Sequence, residues 1–247
     1  MAATHLYIVC QALDLRGLYI EMKQLSAQVL RDIVRQEFAL SGSDELVDKI
    51  VRKVMPQIYE ALDRTTAMDT APRMAKVAGE AVFPLIEALS LLDISALDLS
   101  KVSTFRTTLA DKLASLLTEL RCAYLGVAFA DVRRGRPGTM SAPAPTPIFD
   151  LAPRGRTPAS SFLAPSTRTV YEFVREELGI PMYGADNLRG SVFGMRDGSL
   201  AGLESEEPTI GGTVDTTHGD KVTAIVEAIR DGRMARVLAQ ASTGVEV

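Results

Sequence analysis

Histidine, cysteine and carboxylate side chains are the residue types from which catalytic and metal sites are most often built. The sequence has two histidines, His5 and His218, and neither has a second ligand at the spacing of a metal motif. A lone histidine can act as a ligand or a general base. His5, however, falls within a helical pattern and is better explained as a helix-surface or interface residue. The histidines therefore predict no metal site.

Three carboxylates lie close together at Asp44, Glu45 and Asp48. Such a group could bind a cation or move a proton, but its position favours a structural explanation. Ser43 can cap a helix that starts here, and acidic residues stabilise the positive end of a helix dipole. Asp48 can also pair with Arg52 one turn later. We interpret this cluster as the capped, solvated start of a helix.

Glycine-rich segments and nucleophile motifs give no stronger signal. The segment Gly194–Gly198 and the pair Gly211 and Gly212 have no strand before them, so a phosphate-binding loop is not predicted. The sequence also has no Walker loop and no serine nucleophile elbow. The residues by themselves predict no catalytic centre.

The composition is that of a globular protein. The chain has 247 residues, 47% of them hydrophobic and 23% charged, with a net charge of −4. This charge predicts no nucleic-acid partner, and no apolar run approaches the roughly 20 residues that span a membrane. Cys10 and Cys122 fall within apolar helical patterns, and Met1–Cys10 does not resemble a signal peptide. We expect a cytoplasmic protein with buried, reduced thiols.

The elements that would position these residues are predicted to be mainly α-helical. Residues 1–130 form a helical array, in which Pro56 and Pro84 should each kink or end a helix. Helical spacing is already present from Leu6, without a cap, so either the helix has a frayed start or the natural element begins upstream. Its clearest apolar repeats are Leu46, Val47, Ile50, Val51, Val54, Met55, Ile58 and Leu62, then Leu109, Leu113, Leu116, Leu117, Leu120 and Tyr124.

The second half is predicted to alternate loops with helices. Residues 131–166 are a proline-rich linker, whose basic cluster Arg133, Arg134 and Arg136 we interpret as solvated. Residues 167–247 are C-terminal helices with a glycine-rich loop at 181–219. Within them we expect a helix over Thr167–Leu178 that stops at Gly179, and a break between the last two helices at Gly232.

Three segments resemble known sequences. Residues 171–179 read Tyr-Glu-Phe-Val-Arg-Glu-Glu-Leu-Gly, and this resembles a motif near the C-terminus of plant and fungal phenylalanine ammonia-lyases. Gln11-Ala12-Leu13-Asp14-Leu15-Arg16 is similar to the helix of these lyases that carries Gln-Ala-x-Asp-Leu-Arg. Residues 209–211 and 222–233 look like the closing segment of the fungal enzymes. The segments follow the family's order, so the resemblance brackets the whole chain.

The resemblance implies the C-terminal part of a mainly helical, homotetrameric lyase. In the intact family, L-phenylalanine is converted to trans-cinnamate and ammonia, a step of phenylalanine catabolism and phenylpropanoid formation. The electrophile is a methylideneimidazolone made from an Ala-Ser-Gly triplet, and a tyrosine on a loop takes the β-proton. The fold would be a helical bundle with long Pro- and Gly-rich loops, corresponding to the end of the lyase core plus the helical cap of eukaryotic members.

The chain departs from the family in its chemistry. It contains no Ala-Ser-Gly triplet, and no residue aligns with the family's catalytic or substrate-binding side chains. We therefore assign no catalytic, cofactor-binding or metal-binding residues. The residues that match the family are expected to be structural: Asp14, Arg16, Tyr171, Phe173, Arg175, Glu176, Glu177, Gly179, Gly211, Gly232 and Arg233. Arg175 could pair with Glu172 or with a partner subunit.

Three hypotheses of function follow. The chain is a portion of an ammonia-lyase or related aminomutase that is inactive alone, or a non-catalytic helical interaction and oligomerisation module, or a subunit of a split lyase. Its expected partner is another copy of itself or a chain carrying the missing lyase core.

Overall fold

The structure is a computed structural model that describes residues 1–38, 44–91, 99–126, 147–149, 151–183 and 217–243. All regular secondary structure in these residues is helical, with no β-strand, as the sequence predicts. The α-helices are α1 (Ala2–Glu37), α2 (Asp44–Arg64), α3 (Thr70–Leu91), α4 (Leu99–Tyr124), α5 (Pro165–Glu172), α6 (His218–Arg230) and α7 (Arg233–Thr243). One 3₁₀ turn covers Ser160–Phe162, and α5 continues into a π-helical turn over Phe173–Glu177.

The described residues form two compact units. The first unit contains those within Met1–Gly17, Cys122–Gly135 and Ala152–Val247, and the second contains those within Leu18–Arg121 and Arg136–Leu151. The predicted division into 1–130, 131–166 and 167–247 is a division along the chain, and it stays a prediction.

The second unit has a core of aliphatic and aromatic side chains. Helix α2 packs against α3 through the apolar face that the sequence predicts, and the buried residues of α2 are Val47, Ile50, Val51, Val54, Met55, Ile58, Ala61 and Leu62. At the end of α2, the buried Arg73 side chain donates from Nη2 to the Leu62 carbonyl at 3.0 Å. This bond satisfies a carbonyl that the last turn of the helix leaves without a backbone donor.

The first unit gathers segments that are far apart in the sequence. Helix α5 packs against α7, and α6 packs against α7. The start of α1 contributes Ala3, Tyr7 and Cys10 to the same core. The other members of this core are Ala159, Tyr171, Phe173, Val174, Ile180, Ile225, Ala228, Met234 and Val237. Burial of this shared apolar face is what holds the short α5, α6 and α7 together.

Several sequence predictions meet a clear outcome. Pro56 and Pro84 lie inside α2 and α3, and neither proline ends its helix. The expected pair of Asp48 with Arg52 is wrong, because Asp48 instead pairs with Arg31 of α1 at 3.0 Å. The partner of a carboxylate on a helix surface can therefore come from a neighbouring helix as well as from its own helix. Cys10 and Cys122 are both buried, as expected.

The ends of the C-terminal helices agree approximately with the ends predicted from the sequence. The helix predicted over Thr167–Leu178 begins at Pro165 and changes to π geometry from Phe173. Gly179 and Gly232 have φ angles of 65° and 80°, the left-handed region that glycine adopts without strain. Ser43 and residues 131–146, 150 and 184–216 lie outside the described residues, and with them the cluster Arg133, Arg134 and Arg136, the segment 194–198, Gly211 and Gly212. In the described part of the chain, no helix is both long and apolar enough to cross a membrane.

Candidate functional site: a buried aspartate, tyrosine and arginine cluster

Asp14 lies on the buried face of the first part of α1. Ala3, Tyr7, Cys10, Asp14 and Gly17 follow one another at intervals of four and three residues, and all are buried. This spacing places them on one stripe of the helix, so Asp14 faces the core with its apolar neighbours. A carboxylate in such a position requires polar partners from elsewhere in the fold.

The partners of Asp14 come from α5 and the turn that follows it. Pro165 occupies the first turn of α5, where the backbone N–H groups have no partner within the helix, so the N–H that proline lacks is not needed. The π-helical turn then closes with the Leu178 amide donating to the Phe173 carbonyl at 3.0 Å. Tyr171 and Arg175 are four residues apart, so the helical path presents both side chains towards α1.

The cluster is a network of hydrogen bonds around the Asp14 carboxylate. The Tyr171 hydroxyl donates to Oδ1 of Asp14, and Nη2 of Arg175 donates to Oδ2 of the same carboxylate. The side chains of Asp14 and Arg175 are both 0% exposed. The Ala159 amide donates to the Tyr171 oxygen at 3.2 Å. Both oxygens of the carboxylate are therefore satisfied by residues more than 150 positions away in the sequence.

Arg175 also fixes the chain that follows the helix. Its Nη1 donates to the carbonyls of Ile180 and Pro181 at 2.9 and 2.6 Å. Gln11, one turn before Asp14, donates from Nε2 to the Pro181 carbonyl at 3.4 Å and accepts from the Tyr183 amide at 2.7 Å. Residues 180–183 are thus held against α1 by Gln11 and Arg175 together.

Burial dominates the electrostatics of the cluster. It raises the pKa of the Asp14 carboxyl above its usual value, while the Arg175 charge and the hydrogen bonds from Tyr171 and Arg175 oppose this rise. Burial is also the largest cause of a raised pKa at the Tyr171 hydroxyl, and the hydrogen bond to the Asp14 carboxylate is the second. Burial also raises the pKa of the nearby Cys10 thiol to about 11. The tyrosine and the thiol are therefore neutral at physiological pH.

This arrangement is suited to holding segments together. The side chains of Asp14, Tyr171 and Arg175 are buried, so a substrate has no direct approach to the carboxylate. A neutral thiol with a raised pKa is also a poor nucleophile. Among the described residues, no group of three or more His, Cys, Asp or Glu side chains could hold a metal ion. The cluster is a structural junction between segments distant in sequence.

Comparison with known proteins identifies relatives of the chain. A phenylalanine ammonia-lyase of Strobilurus tenacellus is 34% identical over 244 residues, covering 96% of this chain and 28% of that protein. A phenylalanine ammonia-lyase of Pleurotus ostreatus is 30% identical over 242 residues, with 96% and 27% covered. A phenylalanine/tyrosine ammonia-lyase of Rhodotorula toruloides is 30% identical over 240 residues, with 96% and 26% covered.

The chain is homologous to part of the fungal phenylalanine ammonia-lyases. It spans about a quarter of the length of the curated relatives it matches. No protein-family model matches the chain, and no solved structure matches it. The resemblance to these lyases seen in the sequence is thereby confirmed.

The structure joins two of the lyase-like segments through the cluster. Asp14 belongs to the segment similar to Gln-Ala-x-Asp-Leu-Arg, while Tyr171 and Arg175 belong to the segment over 171–179. Arg175 pairs with Asp14, whereas the sequence pattern indicated Glu172 or a partner subunit as its partner. The two segments resemble the lyases separately in sequence, and in the structure they supply complementary charges.

The other residues that match the lyases differ in their burial. Phe173 is buried in the core, whereas Arg16, Glu176 and Glu177 are exposed. Arg233 follows the turn at Gly232 and pairs with Asp231 at 2.7 Å. Their structural role stays a prediction, and Gly211 lies outside the described residues.

Gly17 is a residue that the sequence analysis missed. A Cβ atom at this position would lie 3.1 Å from the Tyr124 hydroxyl oxygen, 3.3 Å from Phe162 and 3.4 Å from Ala159. The glycine therefore allows the neighbouring segments to approach α1 one turn after Asp14. Its only sequence signal is a glycine within a helical pattern, which by itself is ambiguous.

Proposed function

We propose that the chain is the C-terminal portion of a phenylalanine ammonia-lyase-like protein. The observation that carries the proposal is the buried bond between Asp14 and Arg175, which joins two segments that each resemble these lyases. The homology over 96% of the chain supports it. In this proposal the first part of α1 belongs to the end of the lyase core, and helices that follow belong to the cap over the active-site entrance.

The intact protein would eliminate ammonia from L-phenylalanine and release trans-cinnamate. Phenylalanine is the proposed substrate because the 171–179 segment resembles the phenylalanine branch of the family, and the relatives above are named for phenylalanine or for phenylalanine and tyrosine. The methylideneimidazolone of the family is made from Ala-Ser-Gly. These 247 residues contain no such triplet and do not fit the group, so no catalytic step is assigned to them.

The chain by itself is therefore proposed to be inactive. We assign it to the cytoplasm, with self-association into a tetramer or association with a chain that carries the lyase core. The role of the 247 residues in that assembly is to position and cover the catalytic part, through the junction at Asp14 and Arg175.

Two measurements test this function. The coding sequence upstream of Met1 should continue in frame and encode Ala-Ser-Gly. The purified 247-residue chain, mixed with L-phenylalanine, should give no increase in cinnamate absorbance, with a full-length fungal relative as the positive control. Cinnamate formation by the chain alone would overturn the assignment of the chemistry to another part of the protein.

A non-catalytic interaction module is the second candidate, and the outer face of α1 favours it. Ile8, Val9 and Leu15 are 55%, 50% and 59% exposed although they lie on a helix whose opposite face is buried. Exposed apolar side chains grouped on one face of a helix are typical of an interaction surface. Size-exclusion chromatography should then show self-association that Val9→Lys disrupts. A monomer at micromolar concentration would contradict this candidate.

A subunit of a split lyase is the variant of the first proposal in which the core is a separate chain. It predicts that this chain co-purifies with a partner containing Ala-Ser-Gly, and that cinnamate forms only in the mixture. A genome encoding no such partner would eliminate it.

A further inference from the structure

Glu119 is a buried carboxylate on α4, in the second unit, and it is 1% exposed. Its Oε1 accepts a hydrogen bond from the Ile148 amide, and its Oε2 accepts one from the Phe149 amide at 3.0 Å. Among the described residues it has no arginine or lysine partner, in contrast to Asp14. Removing a carboxylate from water costs free energy, and here two backbone donors offset that cost.

The two donors are consecutive N–H groups on a bend of the chain. The residues from Pro147 to Phe149 are half-buried, and the chain bends at Ile148 and Phe149. Pro147 comes directly before them and has a fixed φ angle. Successive backbone N–H groups that point at one anion form a nest, an arrangement by which proteins bind phosphate and other anions. In this chain the anion is the side chain of Glu119.

This contact holds part of the proline-rich stretch that the sequence predicts as a linker. Glu119 precedes its two donors by 29 and 30 positions. Within the described part of the chain, these are the only hydrogen bonds that Ile148 and Phe149 make. The polar attachment of the segment to α4 therefore depends on one carboxylate.

We propose that the Ile148 and Phe149 amides form an anion-binding nest, and that Glu119, as its resident anion, latches this segment to α4. With the carboxylate in place, the segment lies on α4 and both amides are bonded. Without it, the segment detaches, and its backbone becomes accessible to hydrogen exchange and to proteases. The latch does not depend on the lyase assignment, which is tested by the upstream sequence and by product formation.

Amide hydrogen exchange of the purified 247-residue chain, followed by NMR, tests the latch. Glu119→Gln keeps the size of the side chain but replaces one acceptor oxygen by an NH2 group that cannot accept. Exchange at Ile148 and Phe149 should accelerate roughly tenfold or more, because a hydrogen bond to a charged acceptor contributes about that factor. Asp111→Asn changes an exposed carboxylate on the same helix and should leave both rates unchanged.

Chemical rescue distinguishes an anion-binding nest from an ordinary buried side chain. Glu119→Ala removes the carboxylate and leaves space for a small ion. Formate or acetate should slow the exchange of Ile148 and Phe149 in this variant, and the effect should saturate. Acetamide, which has a similar shape and no charge, should have no such effect, and sodium chloride at equal ionic strength controls for salt. Far-UV circular dichroism checks that each variant is folded.

Chymotrypsin, which cleaves after aromatic residues, provides an independent measurement at Phe149. Cleavage there should be roughly tenfold faster in Glu119→Gln than in the wild-type chain, since proteolysis follows the population of the open form. Unchanged exchange in Glu119→Gln, or equal acceleration in Asp111→Asn, would overturn the proposal. Failure of both ions to protect the amides of folded Glu119→Ala would also overturn it, because a nest binds its anion whether or not the anion is part of the chain.

Discussion

Arg175 with Asp14 in the first unit and Arg31 with Asp48 in the second are pairs of the same residue types. The first pair is 0% exposed on both sides, and it joins residues 161 positions apart. The second pair is 42% and 48% exposed, and it joins residues 17 positions apart on consecutive helices. Water can replace either partner of the exposed pair, but it cannot reach the buried one. Burial, more than the identity of the charges, decides how strongly the fold depends on a pair.

The surroundings of the two pairs also differ in burial. The second unit is held by a core of aliphatic and aromatic side chains, and exposed ion pairs such as Lys23 with Asp63 and Lys53 with Glu87 lie at its edge. In the first unit the polar cluster lies within the core that joins α1 to α5. Specific hydrogen bonds there select one arrangement of the segments, whereas a purely aliphatic contact tolerates many.

Breaking the buried pair should give the largest effect. Arg175→Ala leaves the Asp14 carboxylate buried without its charged partner, and we expect a loss of about 3–5 kcal/mol in the free energy of unfolding. Arg31→Ala, the matched exposed variant, should cost less than about 1 kcal/mol. Urea denaturation followed by circular dichroism measures both. Equal losses in the two variants would contradict the contrast between the units.

The second largest effect is expected from alkaline pH, which should destabilise the first unit. The pKa of Cys10 is raised in the folded state from 9.0 to about 11. A raised pKa means that folding favours the neutral thiol, so this contribution is present below pH 9 and is lost as pH rises through about 11. The full effect is at most about 3 kcal/mol.

The measurement compares melting temperatures of wild type and Cys10→Ala between pH 8 and pH 11. The wild type should lose more stability over this interval than the variant. Cys122→Ala serves as a control for the general effect of removing a buried thiol. Parallel pH profiles for wild type and Cys10→Ala would contradict the expectation.

Removing single hydroxyl groups gives a finer comparison. Tyr171→Phe deletes a buried donor to Asp14 and an acceptor for the Ala159 amide, and should cost about 1–3 kcal/mol. Tyr19→Phe deletes a hydroxyl that donates to the exposed Asp63 at 2.6 Å, and should cost less than about 1 kcal/mol. Chemical denaturation of both variants measures the difference. A larger loss for Tyr19→Phe would reverse the ranking of the two units.

Two glycines provide the smallest test, with opposite signs. Gly179→Ala places a Cβ atom on a residue with φ of 65° and should destabilise by about 1–2 kcal/mol. Gly79→Ala lies on the exposed surface of α3, where the added Cβ atom would have nothing within 4 Å, and should stabilise by up to about 1 kcal/mol. Thermal unfolding resolves the two signs. Destabilisation by Gly79→Ala would show that this helix position is not free to accept a side chain.

Much of the helical structure could be predicted from the sequence. The repeat at Val47, Val51, Val54 and Ile58 indicates the buried face of α2, and that face is buried as predicted. Gly179 and Gly232 stop their helices with left-handed backbone angles, as their position after an apolar repeat indicates. These features depend on residues within one or two turns of each other, and local spacing is enough to specify them.

The partners across the fold could not be predicted in this way. Asp48 has a possible partner one turn along its own helix, yet it binds Arg31 of another helix. The motif residues Asp14, Tyr171 and Arg175 were recognised as separate matches, and their spacing in the sequence carries no indication that they touch. Helix spacing specifies which face of a helix is buried, but not which other helix covers it.

By itself the sequence determined the helical class, the buried faces, the helix stops and the resemblance to the ammonia-lyases. Only the tertiary structure decided that Asp14 accepts hydrogen bonds from both Tyr171 and Arg175, and that Gly17 admits close neighbours. The physical reason is the range of the interactions. Periodicity and capping act within a few residues, whereas a buried carboxylate is stabilised by whichever donors folding brings to it.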